Sequence, residues 1–133
     1  MQAYDYKLLI QEFHLDTFGH VNNATYLAIY EEARWDLITK NGYGLKEIQK
    51  SGKSPIIMEV NLKFQKEIRL RETITVKTEL IKYEGKVGIL KQTMVKESGD
   101  QASEALFTFG LFDLATRKLI EPTPEWNRAI GRT

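Results

Sequence analysis

Among its 133 residues the chain has no cysteine and only two histidines, His14 and His20. The first absence excludes disulfides, thiolate zinc sites and a cysteine nucleophile together, and it suits a reducing compartment. The second leaves too few imidazoles for a histidine-rich metal centre, so no metal is expected. No charge of one sign dominates. Lys and Arg number 19 against 18 Asp and Glu, which leaves none of the basic footprint of a nucleic-acid binder. Nowhere does the sequence approach the roughly 20 consecutive apolar residues of a membrane-spanning helix. The first residues, MQAYDYKLLI, lack the basic start and long apolar run of a signal peptide. A soluble, cytoplasmic protein with neither nucleic-acid nor membrane partner is therefore expected. What is present is 42% apolar residues, enough at this length for one domain over residues 1–133 with its own core.

The order of elements follows from periodicity. Tyr4 to Leu15 is rich in Tyr, Leu, Ile and Phe and short of turn residues, which predicts a strand. Gly19 breaks the chain, and Asn22 or Asn23 is suited to cap a helix. From Ala24 onward Tyr26, Ile29, Tyr30, Ala33 and Leu37 recur at helical spacing and form one apolar stripe. That stripe ends before the glycines of Asn41 to Gly44, and a short helical turn is expected in LKEIQKSG.

After Pro55 the period becomes two. Ile56, Met58, Val60, Leu62 and Phe64 alternate with mostly polar residues, predicting a strand with that set buried. Ile74, Val76, Thr78 and Leu80 repeat the pattern, Tyr83 to Lys86 supplies a hairpin turn, and a weaker strand runs from Val87 to about Lys96. The last strand, ALFTFGLFDL, is apolar on both faces, as a central or interface strand would be. Pro122 and Pro124 argue against its extension. One long helix among consecutive hairpin-linked strands predicts an α+β domain, the helix lying across the concave face of an antiparallel sheet. Such a sheet keeps an edge that needs protection, and oligomerisation is one way of giving it.

Between the first strand and the helix lies DTFGHVNNATYLAIYEEAR, Asp16 to Arg34. A helix N-terminus offers unpaired N–H groups and partial positive charge, which together favour an anion or a developing oxyanion. An aspartate beside it can act on a carbonyl as nucleophile or as base for water. His20 and Asn22 could orient that water or the carbonyl. The plain structural account of the same residues stands level with this one: the asparagines cap the helix, Gly19 permits a positive φ, and Asp16 holds the turn. Taken singly, His20 fits a structural hydrogen bond better than catalysis, and Tyr26 and Tyr30 fit the core better than substrate contact. Glu31 and Glu32 fit a solvated helix face, with Glu31 beside the stripe.

The run D-x-x-G-H-V-N-N-x-x-Y-L, from Asp16 to Leu27, resembles the signature of hotdog-fold acyl-CoA thioesterases of the 4-hydroxybenzoyl-CoA thioesterase type. YEEAR continues the match, and the order of elements agrees along the chain. The resemblance implies a hotdog fold, a long central helix wrapped by a five-stranded antiparallel sheet. It implies hydrolysis of acyl-CoA to free acid and coenzyme A, the coenzyme entering as part of the substrate with no further cofactor. Asp16 falls at the position of the family's catalytic carboxylate, with His20 and Asn22 in the loop beside the thioester. Backbone N–H groups from Asn23 to Tyr26 would polarise the carbonyl, so that Gly19, Val21, Asn23, Ala24, Tyr26 and Tyr30 are candidate substrate contacts. A related branch projects its acid from the central helix, which keeps Glu31 as an alternative acid. The implied assembly is a homodimer with each site at the interface, or a dimer of dimers, a homotetramer.

A coenzyme A leaving group needs a basic rim for its phosphates, and Lys63, Lys66, Arg69, Arg71 and Lys91 are candidates, with solvated strand faces the plainer account of each. The same rim would meet an acidic acyl carrier protein presenting the same pantetheine arm. Beyond acyl-carrier-protein hydrolysis, two non-hydrolytic functions stay open: an acyl-thioester hydratase or dehydratase, and a binder of acyl thioesters without turnover.

Overall fold

A computed structural model describes residues 3–132. Strand β1 (Tyr4–Leu9) leads through a 3-10 turn (Glu12–His14) into helix α1 (Asn23–Lys40) and the shorter α2 (Leu45–Ser51). Four long strands follow, β2 (Lys53–Phe64), β3 (Thr73–Glu84), β4 (Val87–Lys96) and β5 (Gln101–Asp113), then the short β6 (Lys118–Ile120) and helix α3 (Pro124–Ala129). All strand pairs are antiparallel in the order β1-β3-β4-β5-β2, with β6 added beside β5. This is the hotdog architecture that the sequence predicts, with three local differences. The first strand stops at Leu9, where Ile10 turns to pair its backbone with Glu72 and Arg71 instead. A sixth strand joins the expected five. The third difference lies in β2.

There a β-bulge falls between Ile57 and Glu59 and reverses the alternation of the strand. Ile57 pairs with Phe109, and Val60 and Leu62 pair with Phe107 and Ala105, so these three share the helix-side face of the sheet. Ile56 pairs with Gly110 and faces the other way. The expected five-residue buried row from Ile56 to Phe64 is thus split at Met58, and much of it is exposed because β2 is an edge strand.

The stripe of α1 is buried as predicted: Tyr26, Ile29, Tyr30, Ala33 and Leu37, joined by Ile38. It packs on Ile74 and Val76 of β3, Leu90 and Met94 of β4, and Phe107 and Phe109 of β5 in one core. Each such side chain contributes on the order of 1.5–3 kcal/mol through burial. Helix α3 completes the core with Trp126 and Ala129, and Ile130 at its C-terminal end joins them. Thr123 caps it by accepting from the Trp126 N–H, and Pro124 occupies its first turn, where no N–H is needed. Trp126 Nε1 donates to the Tyr83 hydroxyl at 3.2 Å. The C-terminal segment therefore docks on the domain.

Candidate active site

The loop from Leu15 to Val21 is a small closed structure. Leu15 and Val21 pair as an isolated antiparallel bridge, the Asp16 N–H donates to His20 O at 2.8 Å, and Gly19 takes φ +83°, a conformation open to glycine. Inside it the Asp16 carboxylate accepts at Oδ1 from the Phe18 N–H at 2.8 Å and the His20 N–H at 3.3 Å. Among the described residues Oδ2 receives no hydrogen bond. One oxygen thus holds the turn and the other stays available.

The loop delivers the chain to the start of α1. Asn22 takes extended backbone angles and its Oδ1 accepts from the Ala24 N–H at 3.1 Å, satisfying one of the first-turn donors. The Thr25 N–H donates to Asn22 O. The Asn23 N–H has no acceptor among the described residues. Asn23 lines a cleft of about 270 Å³ together with Asp16, His20, Val21, Tyr26 and Phe64. Asp16, with one carboxylate oxygen unbonded, and Asn23, with its N–H unbonded at the positive end of a helix, therefore line one cavity, an arrangement suited to polarising a carbonyl and presenting a base or nucleophile to it.

The remaining predicted residues are placed as follows. His20 lies in the cleft wall, its Nε2 3.3 Å from Glu67 Oε2, and its backbone pairs with Arg69. Tyr26 reaches the cleft and meets the Phe64 ring edge-on at 4.9 Å, and burial raises its phenol pKa. Asn22 and Ala24 belong to the cap, Asn22 through its carbonyl and Ala24 through the N–H that the cap consumes. Tyr30 sits in the core away from the cleft: its hydroxyl donates to Ser103 Oγ at 2.8 Å, and Ser103 Oγ donates to Lys63 O at 2.9 Å. The Lys63 side chain shares the outer face of the sheet with Glu104, whereas its neighbour Phe64 lines the cleft.

The basic rim is largely neutralised. Lys66 pairs with Asp100 at 3.3 Å, Arg69 with Glu67 at 3.0 Å, Arg71 with Glu12 at 3.0 Å and Lys91 with Glu104 at 3.6 Å. Glu67 is the residue that sequence reasoning missed, since its link to His20 spans two loops brought together by the Val21 N–H bond to Ile68 O.

Glu31 lies two turns along α1, outside the cleft. It lines a second cavity of about 100 Å³ with Arg34, Trp35, Ile57, Phe109 and Trp126. Arg34 is half-buried there. Its Nη1 donates to the fully buried Gln92 at 3.0 Å, its guanidinium stacks 4.3 Å over the Phe107 ring, and burial lowers its pKa to about 10 against a smaller opposing effect of Glu31. Gln92 in turn donates to Tyr30 O and Thr78 Oγ1.

Comparison with known proteins agrees with this architecture. The model of the thioesterase-like superfamily matches residues 11–130. The long-chain acyl-CoA thioesterase FadM of Escherichia coli is 32% identical over 115 residues, covering 86% of each chain. A chloroplastic acyl-acyl carrier protein thioesterase of Arabidopsis thaliana, ATL3, is 29% identical over 79 residues, 59% of this chain and 42% of that one. Among solved structures, a probable thioesterase of Escherichia coli superposes with a TM-score of 0.84 at 29% identity, covering 96% of both chains. A Staphylococcus aureus protein solved in complex with CoA superposes at 0.91 with 21% identity, over 98% of this chain and 82% of that one. The extent of the family match and the similarity to FadM over 86% of each chain agree with the hotdog sheet and its loop-to-helix cleft: the chain belongs to the thioesterase-like superfamily.

Proposed function

We propose that this enzyme hydrolyses acyl-CoA thioesters in the cleft between Asp16 and the N-terminus of α1. The observation that carries the proposal is that Asp16, whose Oδ2 is unbonded, and Asn23, whose N–H is unbonded among the described residues, line one cavity. The thioester carbonyl oxygen accepts from Asn23, which stabilises the negative charge that develops as the carbonyl carbon is attacked. Asp16 either takes a proton from the attacking water or attacks directly, giving a mixed anhydride that water then opens. In both routes the carbon–sulfur bond breaks, coenzyme A leaves as thiolate and gains a proton, and the acid is released. His20, held by Glu67, borders the attacking side. Single turnover in heavy-oxygen water identifies the nucleophilic route where water opens the anhydride at the Asp16 carbonyl, the one course that leaves the label in Asp16.

For the acyl group we infer a fatty chain rather than the aromatic ring of the 4-hydroxybenzoyl type, supported by the similarity to a long-chain enzyme over 86% of each chain. Carrier-protein thioesters are the second reading, favoured by the resemblance to the plant enzyme, and the neutralised rim speaks for neither donor over the other. The active assembly is proposed to be a homodimer joined at the β2 edge. The support is an apolar helix-side row on that edge, Ile57, Val60 and Phe64, between 39% and 52% exposed in the single chain.

The test is thiol release from acyl-CoAs and acyl carrier protein thioesters of graded chain length, with wild type and Asp16→Asn. Asparagine keeps an oxygen for the Phe18 and His20 N–H groups, so the loop persists while the charge is lost. Long-chain acyl-CoA turnover falling about 100-fold or more in the variant is expected. Unchanged turnover in the variant would remove Asp16 from the chemistry.

A further inference from the structure

The second cavity holds a cation and an anion that the hydrolysis in the first does not use. Arg34 and Glu31 stand three residues apart on α1 and so have neighbouring side chains, yet they make no ion pair within 4.0 Å. Around them the wall is apolar: Trp35, Ile57, Phe109 and Trp126. A guanidinium withdrawn from water needs compensation, and Arg34 has it at one nitrogen, from Gln92, and from the face of Phe107. No buried side-chain nitrogen or oxygen among the described residues lacks a partner, so the Arg34 donors not bonded to Gln92 are accessible, and Arg34 lines the cavity. A second carboxylate brought to Arg34 would also meet Glu31. A hydroxyl meets both without conflict, accepting from the guanidinium and donating to the carboxylate.

We infer that this cavity is a subsite for the far end of the acyl chain and that Arg34 and Glu31 there select a hydroxylated acyl group. The inference rests on the proposed acyl-CoA hydrolysis and names its substrate class. Along α1, Glu31 and Arg34 lie eight and eleven residues beyond Asn23, about 12 and 16 Å at the helical rise. An extended chain advances about 1.2 Å per single bond, so the hydroxyl belongs roughly ten to thirteen bonds from the thioester. The plain alternative is that Arg34 serves only to fix Gln92, and it predicts no preference between substrates.

The experiment compares ω-hydroxydodecanoyl-CoA with dodecanoyl-CoA on wild type, Arg34→Met and Glu31→Gln. In wild type kcat/KM is expected to favour the hydroxylated substrate roughly tenfold or more, the contribution of a hydrogen bond to a charged group. That ratio should fall towards one in both variants. Glu31→Gln changes an exposed position and keeps the fold testable should Arg34→Met weaken it. Equal kcat/KM in wild type, or a variant that lowers both substrates alike with the ratio intact, overturns the subsite. Titration calorimetry with the two free acids reads the same preference without turnover. Absent hydrolysis with a retained tenfold affinity difference would sink the hydrolytic proposal alone, and equal affinities would sink this one.

Discussion

Asp16 holds the loop with one oxygen and in the proposed mechanism acts with the other, which is why the plain and the functional accounts of the loop both held weight on sequence alone. Oδ1 fastens Phe18 and His20, and Oδ2 is left for the cleft. Removing the side chain is therefore a different experiment from neutralising it. Asp16→Ala should lower the melting temperature as well as activity, because two loop N–H groups lose their acceptor, whereas Asp16→Asn should lower activity with little change in melting. Thermal unfolding of both variants checks the distinction. Asn22→Ala removes the helix cap, and a loss of about 1 kcal/mol is expected in denaturant titration. Gly88 is fixed by space rather than by backbone angle. A Cβ there would meet Phe109 at 2.5 Å and 2.6 Å, so Gly88→Ala should cost on the order of 1–3 kcal/mol through overpacking in β4.

At the scale of elements, α1 is tied to the sheet by more than its stripe. The Tyr4 and Tyr6 hydroxyls of β1 donate to Asp36 and Glu32 on the flank of the helix. The bond to Glu32, with burial second, pushes the Tyr6 phenol up to about 12 from its ordinary 10.0. Because the folded state holds that proton more tightly, the stabilisation is complete below pH 10 and is lost as the pH rises towards 12. Tyr6→Phe should flatten this alkaline part of the stability curve, measured by urea titrations from neutral pH upward. Helix α3 is short but carries Trp126, packed against Tyr43 and Phe109 and bonded to Tyr83. Trp126→Ala should cost about 3–5 kcal/mol in chemical unfolding and widen the second cavity.

For the whole molecule the deciding feature is the free edge of β2. A long edge strand with apolar side chains exposed on one face invites pairing with another chain. If the proposed dimer forms at this edge, placing a charge there, Val60→Lys, should shift it to monomer in sedimentation velocity and reduce thioester turnover with it. A variant that remains dimeric and fully active would argue for association elsewhere. Among the described residues no helix is long and apolar enough to cross a membrane.

The local code of the chain determined a good deal by itself. Asn22 before a 3.6-residue stripe specified α1 and its buried face, and the period-two run from Ile74 to Leu80 specified β3, because capping and amphipathic spacing act between near neighbours. That Asp16 and Asn23 lie side by side was legible for the same reason, since they are seven residues apart in sequence, while their role in chemistry was not. What the tertiary structure alone decided involves distant partners. The bulge in β2 reversed the phase of Ile56 and Ile57 to satisfy pairing with β5. Glu67 reached His20, and four acidic residues neutralised the rim, through contacts that no spacing encodes. Tyr30, identical in type to Tyr26 and one turn along the same stripe, is fully buried and bonded to Ser103 of β5 instead of lining the cleft. Arg34 and Glu31 became neighbours of Trp126 only when the C-terminal helix folded back across the core, and that meeting, unlike the loop, has no signature in the sequence.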